Sequence, residues 1–125
     1  MQNYTTFEYM YRDAANYKAW DGVILAGILT QKDEKLIRQH FDEGEFFIAE
    51  QIGVPSLCMR LWQYSNGQPN DDDHAWHTAY NFRPTTNDDI ARFTLWGTVE
   101  DFIARILTVR KWDTTLSPNY TAMQN

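Results

Sequence analysis

The densest group of chemically capable side chains is Asp71-Asp72-Asp73-His74-Ala75-Trp76-His77, where carboxylates and two imidazoles three residues apart could ligate a divalent cation. Spacing argues against it. Period-two alternation after Ala75 predicts a strand, in which side chains three apart point to opposite faces, and no second carboxylate–histidine pair of recognisable spacing occurs. A metal-dependent hydrolase built on Asp71 to His77 is therefore an alternative, and the main expectation carries neither metal nor cofactor. Cys58 sits at helical spacing with Leu57 and Leu61, as a small core hydrophobe does, and His40 lies among Leu36, Ile37 and Phe41 in the same manner. The glycines stand singly at 22, 27, 44, 53, 67 and 97, so there is no phosphate loop or dinucleotide fingerprint, and no Gly-X-Ser-X-Gly elbow is present. No catalytic residue is assigned.

A second set is Arg12, Asn16, Tyr17 and Lys18 with His77, Asn81 and Arg83. Alternation sets Arg12 opposite Phe7, Tyr9 and Tyr11, and sets His77, Asn81 and Arg83 opposite Trp76, Tyr80 and Phe82. With the aromatic faces turned inward, the other face would carry two guanidiniums, an imidazole and an amide. That combination suits a small anionic, nucleotide-like ligand, because Arg offers a planar fork to phosphate or carboxylate and rings can stack on a base. The plainer expectation is that Arg12 and Arg83 pair with Glu8 or Asp13 on a solvated face.

Nineteen aromatic residues (five Trp, seven Tyr, seven Phe) exceed what a short chain usually carries. Trp20, Trp62, Tyr64, Trp96, Trp112 and Tyr120 fall near element ends, where tryptophan and tyrosine are enriched at subunit contacts. Trp20, Trp62, Trp96 and Trp112 are accordingly candidate interface residues of a homo-oligomer.

The elements that would position these groups follow from pattern. Tyr4 to Arg12 alternates as a strand, the next ten residues have turn chemistry, and the apolar run Val23 to Leu29 reads as a strand covered on both faces. Thr30 with Asp33, Thr86 with Asp89, and Thr98 with Asp101 cap three helices, the last with apolar residues at Val99, Phe102, Ile103, Ile106 and Leu107. Glu45 to Ile48 is a short strand, and Pro55 opens a helix carrying Leu57, Cys58, Leu61 and Trp62. Ser65 to Asp73 is loop and Ala75 to Arg83 strand. These predict one α+β domain over residues 1–125, with an antiparallel or mixed sheet of three to four strands, three to four helices packed on it, and an irregular tail over 113–125.

Composition bounds the rest: 125 residues, 43% apolar, with 17 acidic and 11 basic residues for a net charge of -6. Scattered bases argue against direct nucleic-acid binding, which needs several Lys or Arg on one face. A single cysteine excludes an internal disulfide, and an N-terminus without a basic region or apolar stretch, together with no apolar run of about 20 residues, predicts a cytoplasmic protein without membrane contact. The expected function is non-enzymatic: a small oligomer that binds or sequesters a nucleotide-like anion or inhibits a protein partner, a role suited to phage counter-defence. A purely structural protein-interaction domain is the third alternative.

Overall fold

The structure is a computed structural model that describes residues 3–120. Its centre is a five-stranded mixed sheet in the order β3-β4-β1-β2-β5, formed by β1 (Tyr4–Arg12), β2 (Lys18–Ala26), β3 (Phe46–Phe47), β4 (His77–Pro84) and β5 (Thr94–Thr98). β1 lies between β2 and β4, antiparallel to both, and β5 joins β2 in parallel. The sheet therefore has two strands more than the lower bound expected from pattern, and one more than the upper. The extra strand, β5, is a five-residue edge segment between two helix caps, too short to show its own period.

Alternation along β1 holds throughout: Phe7, Tyr9 and Tyr11 are fully buried on the inner face. They pack under α1 (Gln31–His40), α2 (Ala49–Ile52) and α4 (Val99–Leu107), whose Ile37, Ile52, Phe102 and Ile106 are also fully buried. A 3-10 helix over Cys58–Tyr64 adds Leu57, Cys58 and Leu61 to this layer. The outer face is covered at one end only. There α3 (Asn87–Arg92) and the following Phe93 close over Tyr4 and Ile24, and Gly22 leaves room for the Phe93 ring.

The turn between β1 and β2 is tighter than composition suggests. Asp13 Oδ1 accepts from Tyr17 N at 2.9 Å, Asn16 takes the left-handed region at φ 70°, and pairing resumes at Lys18. The anchored tail runs from a 3-10 turn at Thr114–Leu116 to Asn119, which is fully buried, accepts from Trp62 Nε1, and donates to Tyr11 Oη and the His74 carbonyl. Tail residues 121–125 lie outside the described residues. Among the described residues no helix is long and apolar enough to cross a membrane.

Candidate functional site

β4 carries the main departure from simple alternation. Glu8 pairs with Asn81 but Tyr9 pairs with Ala79, so Tyr80 is an extra residue in a bulge. A bulge shifts the phase of the strand by one. Arg83 and Asn81 face outward as expected, but His77 and Ala79 turn inward, contrary to the expectation that His77 shares a face with Arg83. His77 is fully buried, accepts from Leu57 N at Nε2, and is pushed down to about 4, first by burial. It is a core residue.

Arg83 is engaged by two carboxylates of the chain itself. Its Nε bonds Glu8 at 2.8 Å, and its two terminal nitrogens bond Asp89 at 2.6 and 2.8 Å. The second bond set holds the buried Asp89 carboxyl well below the usual carboxylate range, with Thr86 N and Thr6 Oγ1 adding to it. Arg12 is on the same face but opposite Lys18, whereas Arg83 sits opposite Thr6. Six strand residues separate the two levels, roughly 20 Å. The guanidiniums do not converge, and pairing with Glu8 describes Arg83 correctly. Asn81 is beside Glu8 in the Arg83 half, and Tyr17 is exposed, stacked on Tyr64 with centroids 5.0 Å apart.

Arg12, Asn16 and Lys18 are brought together where the outer face is uncovered. Arg12 and Asn16 line a cleft of about 520 Å3 with Asp13, Asp42, Glu43, Phe46, His74, Trp76 and Thr78. Small-molecule sites commonly span about 300–1,000 Å3. Across this face, Asp42 and Glu43 stand beyond β3, the rings of Phe46 and Trp76 come next, and Arg12 and Lys18 stand on the two strands after that, with Asp13 following Arg12. Cross-strand neighbours of like charge are unfavourable, and among the described residues neither Arg12 nor Lys18 has a carboxylate within ion-pair distance. Asp42 and Glu43 also have no side-chain hydrogen bond there, and Glu43 holds a left-handed φ of 54°.

The cleft wall is fixed from behind. His74 Nε2 donates to the Arg12 carbonyl at 2.7 Å while Nδ1 accepts from Trp76 N at 3.0 Å, which sets the tautomer. Tyr11 Oη donates to Asp73 Oδ1 and accepts from His74 N and Asn119 Nδ2. The Asp71 to His77 segment is thus engaged in architecture: Asp73 and His74 tie the loop down, Asp71 and Asp72 face solvent, and His77 enters the core. Among the described residues no three His, Cys, Asp or Glu side chains form a metal-binding group. Cys58 is buried, and burial pushes its thiol up to about 11.

Three of the four candidate interface tryptophans are half-buried and bond within the chain. Trp62 donates to Asn119, Trp96 to the Gly53 carbonyl and Trp112 to the His40 carbonyl. Trp20 is the exception, half-exposed on the outer face with its ring edge-on to Tyr80 at 5.1 Å. A depression of about 750 Å3 along α1 is larger than the cleft, but its Arg38 is engaged by Glu34 and by the Gly44 and Tyr80 carbonyls. Sequence patterning did not single out Asp42, Glu43, Phe46 or Thr78. Their only local signal is Asp42-Glu43-Gly44 ahead of a two-residue strand. No protein-family model matches the chain, and neither a curated protein nor a solved structure matches it.

Proposed function

We propose that the protein works by binding, without catalysis, and that its ligand is a small nucleotide-like molecule held in the cleft at the uncovered end of the sheet. The observation that carries this is Arg12, a cation without an ion-pair partner in the wall of a cleft that has aromatic rings along it, with Lys18 opposite Arg12 on β2 just beyond the lining. A phosphate would take the Arg12 fork, and a planar base would lie on Phe46 or Trp76. Charge limits the ligand. Two cations against Asp13, Asp42 and Glu43, on a chain of net charge -6, favour one phosphate over three. The one imidazole in the cleft wall, His74, is held at both ring nitrogens by backbone partners, which supports binding over chemistry.

A thermal-shift panel of nucleoside monophosphates tests this, since a ligand of the folded state raises the midpoint by mass action. At least one should stabilise the wild type, and both Arg12→Ala and the cleft-filling Thr78→Trp should abolish the shift. A flat panel, or a shift that survives both variants, would overturn it.

The half-exposed Trp20–Tyr80 pair favours a second reading in which this face also joins two copies of the chain. Sedimentation would then give a dimer that Trp20→Ser returns to 14.7 kDa. A wild type already at that mass would refute it.

A further inference from the structure

We infer that the cleft selects a guanine base, a conclusion that rests on the nucleotide reading above. Asp42 and Glu43 stand across the cleft from Arg12, with the Phe46 and Trp76 rings between, while the third acid of the lining, Asp13, follows Arg12 and accepts from Tyr17 N. A carboxylate only accepts hydrogen bonds. A base that turns its pairing edge toward these residues must therefore offer donors. Guanine presents two adjacent ones, N1–H and the N2 amino group. Adenine offers an N6 donor beside the N1 acceptor, and that acceptor would face a carboxylate oxygen across the contact. Cytosine has the same mismatch, and the single uracil donor is flanked by two carbonyls. Guanine alone among the common bases matches a carboxylate with both donors.

The placement of the two acids supports this assignment. Glu43 follows α1 in a left-handed conformation that costs most residues free energy, between Asp42 and Gly44. Backbone bonds of Asp42 with Phe46, at 2.8 and 2.9 Å, fix the loop against β3, next to the ring on which the base would lie. Both carboxylates project from a loop held by its backbone, so replacing them removes acceptors without removing loop contacts.

Calorimetric titration of GMP, IMP and AMP into the wild type and the Asp42→Asn/Glu43→Gln double variant tests the inference. Wild type should bind GMP at least about tenfold more tightly than AMP, the discrimination expected of one good bidentate base contact. IMP, lacking the N2 amino group, should fall between them. In the double variant the GMP-to-AMP ratio should drop to within about twofold, while Glu100→Gln, an exposed acid on α4, should leave it unchanged. Equal binding of GMP and AMP, both lost in Arg12→Ala, would overturn guanine selection and leave the cleft as a nucleotide site. A GMP preference that persists in the double variant would also overturn it, because the base would be read elsewhere. Binding of no nucleotide would remove both proposals.

Discussion

Protonating His77 would put a charge in the core beside Tyr9, Tyr11 and Phe47, with Nε2 no longer able to accept from Leu57 N. Its folded pKa of about 4 lies below the ordinary 6.5, so the unfolded chain takes up the proton first. Stability is therefore full above pH 6.5 and declines to about pH 4, by up to about 3 kcal/mol. Glu50, raised by burial, acts in the opposite direction and offsets part of the decline near the bottom of this window. Urea unfolding across pH 4–7 should show the fall in wild type and a shallower slope in His77→Gln, which retains an acceptor for Leu57 N. Equal slopes would contradict the assignment. Arg83→Ala strands the buried Asp89 and should destabilise by about 2 kcal/mol, whereas Arg12→Ala, on an unpaired side chain, should fall within about 0.5 kcal/mol of wild type. Chemical denaturation separates the two. Residue types alone marked both arginines as ligand candidates; what distinguishes them is Asp89, a helix-cap residue whose reach to Arg83 depends on how α3 folds over the sheet.

The helix caps were fully legible, because a cap is a contact between residues three apart. Thr30 with Asp33 and Thr86 with Asp89 form reciprocal capping boxes, and Thr98 accepts from Asp101 N. Thr98→Ala should lower stability by about 1 kcal/mol in thermal or chemical denaturation. The bulge at Tyr80 was not legible, since it arises from pairing with a strand some seventy residues away, and it inverted the expected orientation of His77 and Ala79. β5 was hidden for the same reason: its partner is β2, and its five residues carry no alternation of their own. Gly22 is informative in retrospect. A Cβ there would lie 3.0 Å from the Phe93 ring and 3.2 Å from the Phe7 carbonyl, so Gly22→Ala should cost about 1–3 kcal/mol by overpacking where α3 crosses onto the sheet. A neutral Gly22→Ala in the same denaturation assay would show that α3 does not close over that end.

The chain uses its two sheet faces differently, and that asymmetry decides where a ligand can go. Helices α1, α2 and α4 pack on the inner face, while α3 covers only the Ile24 end of the outer one. The aromatic excess visible in the sequence is mostly absorbed by the covered side, including Trp62, Trp96 and Trp112 through their indole N–H groups. What remains uncovered holds Trp20, Tyr80 and the cleft, with Asp42 and Glu43 on one side and Arg12, followed by Asp13, on the other. The separation of those charges comes from strand order, which no local pattern encodes. Amide chemical-shift mapping of the labelled protein during a GMP titration tests the binding site most directly. Saturable shifts should concentrate at Arg12, Asn16, Glu43, Trp76 and Thr78. An unperturbed spectrum, or shifts centred on Lys35 and Arg38 along α1, would contradict the cleft as the binding site.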